Sequence, residues 1–286
     1  VACFSPFHFH RVFGAMSGEP LSKFVQRLRL ERAACQLVAN TARPVTEVAR
    51  DAGFASSATF ARAFREHFGV TATDWRGGGY ENSKLGKTLG NAGKAYEVSS
   101  SYPDRNTGNL RWRIEMSSEE TGNAIEADVE VREIEEMHVA YVRHVGPYAG
   151  DAELFGRLWG RLMQWAGPRG LMRPPETRML CVYHDDPGIT DDERLRLSCC
   201  ITVPEDTAAE GEIGRMSVGG GQYAVARFEL RPDQFGDAWQ AVFGGWLPRS
   251  GYQPADGPPF EWYHNDCREH PEQLSILDIC VPVKPM

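Results

Sequence analysis

Residues 45–54 read VTEVARDAGF, and a serine pair, Ser56 and Ser57, follows them. A short helix can begin at Thr46, because a threonine side chain accepts hydrogen bonds from free backbone N–H groups. Gly53 can end that helix, since glycine adopts the left-handed backbone conformation of a tight turn at little cost. A second helix starting at the serine pair completes the spacing of a helix-turn-helix, whose second helix enters the DNA major groove.

The outward side of that second helix carries the predicted DNA contacts. Its outward positions are Ser57, Thr59, Ala61, Arg62 and Arg65. Arg62 or Arg65 can pair with a guanine edge or a phosphate, and the short neighbours let the helix approach the bases.

The same pattern occurs 51 residues earlier in the chain. At that offset, Ser56, Phe60, Arg62, Phe64 and Gly69 correspond to Ser5, Phe9, Arg11, Phe13 and Gly18. Both copies predict a helix with a serine cap and two phenylalanines on one buried face. We take His8 and Arg11 as DNA contacts of this first unit. By the same offset, its first helix would precede Val1, so we expect the first unit to be incomplete in this sequence. Between the copies, residues 20–40 predict a helix of about 30 Å, close to one turn of B-DNA.

Three stretches of this region resemble the DNA-binding domain of AraC-type transcription regulators. They are SPFHFHRVF at 5–13, RLRLERAA at 27–34, and the run from Val48 through Phe64 to Arg76. The resemblance covers residues 1–76. It implies two helix-turn-helix units joined by a long helix, with recognition helices near 6–14 and 57–67 and double-stranded DNA as the partner.

Length and charge divide the chain further. Its 286 residues, 42% hydrophobic and 24% charged, favour two globular domains. Residues 1–76 carry 10 Lys and Arg against 6 Asp and Glu, whereas residues 129–286 carry 15 against 25. The basic part suits a polyanion and the acidic part does not.

Between these two parts, residues 77–128 are rich in Gly, Ser and Asn, which predicts a flexible linker with one ordered piece near Leu110 to Ile114.

The sequence disfavours membrane proteins and metal-binding proteins as classes for this chain. No stretch approaches the roughly 18 apolar residues of a membrane helix, so we expect a cytoplasmic protein with no membrane partner. The seven cysteines are scattered without zinc-ligand spacing, and no histidine spacing suggests ligation. We therefore predict no metal site and no cofactor.

From Val129 the apolar pattern alternates as in strands, with helical periodicity over residues 151–166 and 235–247. Residues 139–143 resemble residues 223–227 at an offset of 84, and Phe155 and Trp159 resemble Phe235 and Trp239 at an offset of 80. This repeat predicts an α+β domain over residues 129–286, made of two pseudo-symmetric β-α-β-β units with a central groove.

A ligand site is predicted in that groove. Glu261 lies between Phe260 and Trp262, and a carboxylate among aromatic rings suits a lipophilic cation. An alternative is that Glu261 faces solvent on a strand edge. The aromatic side chains that we expect to line the site are Tyr148, Phe155, Trp159, Tyr183, Trp246, Trp262 and Tyr263.

This half resembles the GyrI-like effector-binding domain through VEVR at 129–132, VAYVRHVGPY at 139–148 and FEWY at 260–263. The resemblance covers residues 129–286 and implies a pocket for bulky, often cationic or aromatic compounds with a central glutamate, here Glu261. GyrI-like domains often follow an AraC-type or MerR-type DNA-binding module.

The chain is therefore interpreted as a transcription regulator that senses a small hydrophobic or cationic effector, acting by domain rearrangement or through contacts with RNA polymerase. One alternative is a hydrolase, because some GyrI-like proteins hydrolyse strained cyclopropane-containing compounds. Glu261 would then be the general base, with Tyr148 or Tyr263 donating or orienting a proton. Another is a protein that only sequesters toxic ligands.

Overall fold

The structure is a computed structural model that describes Phe13 and residues 19–80, 96–103, 110–117 and 124–286. It divides into two compact units. We call them the helical unit, residues 1–87 with 188–190, and the sheet unit, residues 88–187 with 191–286. Of the recognition helix predicted near residues 6–14 the structure describes Phe13 alone, so His8 and Arg11 lie outside the described residues.

Over residues 19–80 the helical unit is all α. Its helices are α1 (Leu21–Ala39), α2 (Val45–Asp51), α3 (Ser57–Phe68) and the short α4 (Ala72–Asp74), followed by a π turn over Trp75–Gly79. Helix α3 begins at a Ser56 cap, whose Oγ accepts a hydrogen bond from the Thr59 N–H at 3.2 Å. It ends at Gly69, whose φ of 76° is left-handed. Gly53, with φ 78°, forms the turn between α2 and α3 as predicted.

One buried aromatic cluster holds these helices together. Phe60 and Phe64 of α3 are buried, and their ring centroids lie 5.3 Å apart. Trp75 packs edge-on against Phe64, and its Nε1 donates to the backbone oxygen of Ala34 in α1 at 3.2 Å. The phenylalanine spacing in the sequence therefore marks the side of α3 that faces the core and leaves the opposite side to solvent.

The sheet unit is a large antiparallel sheet with two helices. Its elements are β1 (Tyr96–Pro103), β2 (Leu110–Ser117), β3 (Ala124–Ile134), β4 (Met137–Val145), α5 (Ala152–Ala166), β5 (Met179–Tyr183), β6 (Arg196–Thr202), β7 (Gly214–Val218), β8 (Gly221–Leu230), α6 (Phe235–Gln240), β9 (Tyr252–Pro254), β10 (Phe260–Tyr263) and β11 (Ser275–Pro285). The strand order is β1-β2-β3-β8-β11-β10-β5-β6-β4-β7, with β9 paired to β11. Strand β10 thus lies near the middle, between β11 and β5.

The linker predicted over residues 77–128 is corrected by this topology. Strands β1 and β2 and the first residues of β3 fall inside that range and pair with one another in the sheet. In β2, Trp112 and Ile114 are buried while Arg113 between them is exposed. The ordered piece predicted near Leu110 to Ile114 is therefore part of β2, whereas β1 was not predicted.

Both helices pack on the same face of the sheet as Glu261. Helix α5 buries Leu154, Leu158 and Leu162 against β4, β5 and β6. Helix α6 is shorter than predicted, because residues 241–246 continue it as a π-helix that buries Val242. We call this side the helix face. The other side, which we call the open face, has a buried cluster of its own that includes Phe260, Leu180 and Val182.

Candidate functional site

Glu261 lies on β10 at the centre of the helix face, and its side chain is fully buried, at 0% exposure. Its neighbours Phe260 and Trp262 point to the open face, since side chains alternate along a strand. Tyr263 shares the face of Glu261 for the same reason. The solvent-facing alternative for Glu261 is therefore wrong.

Three hydrogen bonds reach this carboxylate. Oε2 accepts from the hydroxyls of Tyr183 at 2.8 Å and Tyr263 at 2.6 Å. Oε1 accepts from Nε1 of Trp239 at 2.7 Å. Within the part of the chain that the structure describes, no Lys, Arg or His side chain forms an ion pair with Glu261. The carboxylate is thus hydrogen-bonded without a counter-charge.

Burial decides the protonation of this cluster. Removal from water raises the pKa of Glu261, and the hydrogen bonds from Tyr263, Trp239 and Tyr183 oppose this shift only in part. Burial also raises the pKa of Tyr183 and of Tyr263 well above their ordinary values, with the nearby Glu261 charge adding to the effect. Both tyrosines therefore remain protonated donors.

Aromatic rings surround the carboxylate. The Tyr183 ring lies 5.6 Å from Tyr148 and 5.3 Å from Trp239, centroid to centroid. Trp159 of α5 packs edge-on against Tyr263 at 6.3 Å. Phe243, in the π-helix after α6, stacks on Trp239 at 5.9 Å. These rings come from β5, α5, β10, the α6 segment and the loop after β4, and they surround one acidic group. We call Glu261 and these six residues the Glu261 cluster: Tyr148, Trp159, Tyr183, Trp239, Phe243 and Tyr263.

The structure does not bring every predicted ligand residue to this cluster. Phe155 packs against the same core as Tyr148, but no ring pairing joins it to Tyr183 or Tyr263 among the described contacts. Trp246 is a core residue, 5.5 Å from Trp112. It is the last residue of the π-helix that follows α6, and its side chain is fully buried in that core.

The prediction that Trp262 lines the ligand site is also corrected. Its side chain points to the open face, where the guanidinium of Arg178 lies 4.4 Å from its ring. Sequence reasoning also missed Trp239 and Phe243. The repeat contained a signal for Trp239, since that residue corresponds to Trp159, which was selected.

In the helical unit, the exposed side of α3 is the candidate DNA interface. Ser57, Thr59, Arg62 and Arg65 are all exposed. A shallow groove of about 560 Å³ lies there, lined by Ala61, Arg62, Arg65, Glu66 and Thr71. Neither arginine forms an ion pair with a described residue, so both guanidinium groups face solvent.

Comparison with known proteins gives the family. Residues 127–284 match the GyrI-like small molecule binding domain. The chain belongs to the GyrI-like family. Residues 1–78 match a helix-turn-helix domain, so the two predicted resemblances are confirmed. A DNA-binding domain and a GyrI-like domain in one chain are the two parts of a ligand-responsive transcription regulator.

Relatives of the GyrI-like half include proteins named DNA gyrase inhibitor. The one from Edwardsiella ictaluri is 34% identical over 148 residues, covering 50% of this chain and 89% of the relative. The one from Erwinia billingiae is 34% identical over 159 residues, covering 54% of this chain and 97% of the relative. A solved structure of the EcmrR C-terminal domain is 19% identical with a TM-score of 0.47, covering 56% of this chain and 99% of that one.

Two kinds of feature are absent from the described residues. No helix there is long and apolar enough to cross a membrane. Over the same ranges, no group of three or more His, Cys, Asp or Glu side chains is arranged to hold a metal ion.

Proposed function

We propose that the GyrI-like domain binds a lipophilic cation at the Glu261 cluster and that this binding controls the attachment of α3 to DNA. The observation that carries the proposal is the fully buried carboxylate that has three neutral donors and no cationic partner among the described residues. A buried negative charge is costly unless it is paired. An incoming cation supplies the missing charge.

Aromatic rings favour the same ligand class. A cation over the face of Trp239, Tyr183 or Trp159 gains cation–π attraction, which strengthens when water is excluded. The rings also bury the apolar groups of the ligand, and apolar burial contributes about 25 cal/mol per Å². A hydrophobic neutral compound gains only the second contribution, so we infer that Glu261 selects for positive charge.

We also infer that the sheet unit contains two related β-α-β-β units, β4-α5-β5-β6 and β8-α6-β10-β11. The strand order supports this, because β8-β11-β10 and β4-β6-β5 meet at the β10–β5 pair and read alike from the outside inward. Glu261 and its register partner Cys181 lie at that junction. The ligand site is thus built from both β-α-β-β units. We propose residues 1–76 as the DNA-binding domain and a ligand-binding domain that includes β1 and β2 as well as residues 129–286.

For the DNA side, we propose that Arg62 and Arg65 contact a promoter, with Ser57 and Thr59 beside them. All four side chains are exposed, and neither arginine forms an ion pair with a residue that the structure describes; both observations support this role. We propose RNA polymerase as a further partner, and a cytoplasmic location because chromosomal DNA is the target.

The test of the ligand site uses tetraphenylphosphonium as the lipophilic cation. We expect it to stabilise the full chain against heat, because a ligand that binds only the folded state raises stability. Glu261→Gln keeps a similar shape but removes the charge, and it should weaken binding in calorimetry at least about tenfold. Glu229→Gln, at an exposed position of β8, is the matched control and should bind as the unmodified chain does.

Equal affinity of the Glu261→Gln variant and the unmodified chain would refute the proposal. The same samples address the hydrolase alternative, with a cyclopropane-containing alkylating compound as substrate. Product formation that disappears with Glu261→Gln would favour the enzyme over a sensor.

A further inference from the structure

Two similar clusters of arginine and histidine lie on the open face of the sheet, opposite Glu261. In the first, Arg227 hydrogen-bonds Asp278 with Nε and Nη2, and His264 Nε2 lies 2.9 Å from Asp278 Oδ2. The Arg227 Nη2 atom is also 3.1 Å from His264 Nε2. Asp278 is buried, at 1% exposure, and its carboxylate neutralises the guanidinium above it.

The second cluster has the same plan with one substitution. Arg143 Nε donates to Ser198 Oγ at 3.1 Å, and Arg143 Nη2 lies 3.1 Å from His184 Nε2. His184 Nε2 lies 2.9 Å from Ser198 Oγ. The sequence offsets are those of the internal repeat, with 84 residues between the arginines and 80 between the other pairs. Ser198 thus stands where the other unit has Asp278.

This substitution leaves the charge of Arg143 uncompensated. Among the described residues, no carboxylate lies within ion-pair distance of its guanidinium. His184 does not add a charge, because burial, Arg143 and Arg196 lower its pKa to about 3. Arg196 is itself paired with Asp185, whose Oδ1 and Oδ2 accept at 2.6 and 2.7 Å. The cluster therefore carries one unpaired positive charge.

The Arg143 side chain is also held in place. Its guanidinium carbon lies 4.6 Å from the centroid of the Tyr141 ring, and Nη2 is 3.8 Å from Met216 Sδ. With Ser198 and His184 fixing Nε and Nη2, Nη1 makes no hydrogen bond to a described residue. Arg143 is exposed, so its open edge faces solvent. A fixed planar guanidinium loses little conformational freedom when an oxyanion binds to it.

We propose that Arg143 is the centre of a second ligand site, which binds an oxyanion such as a carboxylate or a phosphate group. The site is distinct from the Glu261 cluster, because it takes a ligand of opposite charge on the opposite face of the sheet. Arg227 does not form such a site, since Asp278 already occupies the equivalent position.

The experiment is calorimetric titration of the full chain with inorganic phosphate and, separately, with acetate, at constant ionic strength set with chloride. We expect saturable binding of at least one anion. Binding of phosphate alone assigns the site to phosphate groups, and binding of acetate alone assigns it to carboxylates. Binding of both assigns it to oxyanions in general. No saturable binding of either anion would overturn the proposal.

Variants locate the site. Arg143→Gln should abolish anion binding, and Ser198→Asp should weaken it at least about tenfold by supplying the internal carboxylate that Arg227 already has. Arg227→Gln is the matched control and should bind anions as the unmodified chain does. Unchanged binding by Arg143→Gln would overturn the proposal even if the Ser198 variant does not fold. Tetraphenylphosphonium binding should be unaffected in Arg143→Gln, so this test is independent of Glu261.

Discussion

At the scale of single residues, Glu261 is buried and has no counter-charge among the described residues. Its titration should therefore change the free energy of unfolding with pH. Its folded pKa is raised above its ordinary value of 4.5 by burial. At pH values between the pKa of Glu261 in the unfolded chain and its higher pKa in the folded chain, the folded state holds more protons than the unfolded state. The free energy of unfolding therefore falls as pH rises through this range. The stabilisation is fully present below the unfolded pKa and is lost as pH rises through the folded pKa.

The prediction compares the unmodified chain with Glu261→Gln in urea unfolding from pH 4 to pH 8. The difference in unfolding free energy, unmodified minus variant, should decline with rising pH and then level off. Glu229→Gln, at an exposed position of β8, is the matched control. A constant difference for Glu261→Gln would mean that its carboxyl group titrates alike in the folded and unfolded chains.

Arg62 is the second residue whose role is open to direct measurement. Its exposure on α3, beside Arg65, permits contact with a base edge. Arg62→Ala should weaken binding to a selected promoter fragment by about 1 to 3 kcal/mol and relax the base preference at one position. Arg50→Ala, an exposed arginine of α2, serves as the control in the same gel-shift titration. Unchanged affinity of Arg62→Ala would remove that residue from the interface.

At the scale of elements, β2 changes where the ligand-binding unit begins. Trp112 of β2 packs in the same core as Ala226 of β8 and Trp246 of the π-helix. Trp112→Ala should therefore lower the unfolding free energy of the sheet unit by about 3 to 5 kcal/mol. Arg113→Ala, on the exposed side of the same strand, should change it by less than about 0.5 kcal/mol. Equal effects of the two changes would show that residues 110–117 are not part of the folded core.

The elements that the sequence predicted well are those with local signals. Helix α3 was predicted within one residue of Ser57–Phe68, because its cap, phenylalanine spacing and terminal glycine are all contiguous. Strand β1 was missed, and of β2 only the ordered piece near Leu110 to Ile114 was predicted, because both strands are stabilised by pairing with one another and with β3.

For the candidate site as well, local signals could be read from the sequence, whereas the direction of each ring depends on tertiary packing. Glu261 could be selected because a charge between aromatic residues is visible in one strand. Trp246 and Trp262 were assigned to the site wrongly because strand register and helix rotation decide which side a ring faces, and neither can be read from a single segment. Trp239 was missed although the repeat pairs it with Trp159, because the direction of its ring depends on how α6 packs on the sheet.

At the scale of the whole molecule, regulation requires that the cation and DNA affect each other's binding. If tetraphenylphosphonium changes the affinity for DNA by some factor, DNA must change the affinity for the cation by the same factor. We expect this factor to lie between about 5 and 150, the usual range of allosteric coupling. The DNA probe is a double-stranded fragment selected from random sequences by its binding to the full chain.

Two variants separate coupling from binding in fluorescence titrations of both ligands. Glu261→Gln should bind DNA as the unmodified chain does but lose the response to the cation, because the charge that binds the cation is gone. Arg62→Ala should weaken DNA binding and leave cation affinity without DNA unchanged. A DNA affinity that is identical with and without saturating cation would mean that the two units function separately. The chain would then be a DNA-binding protein that sequesters cations, since a ligand with equal affinity for both states shifts no equilibrium.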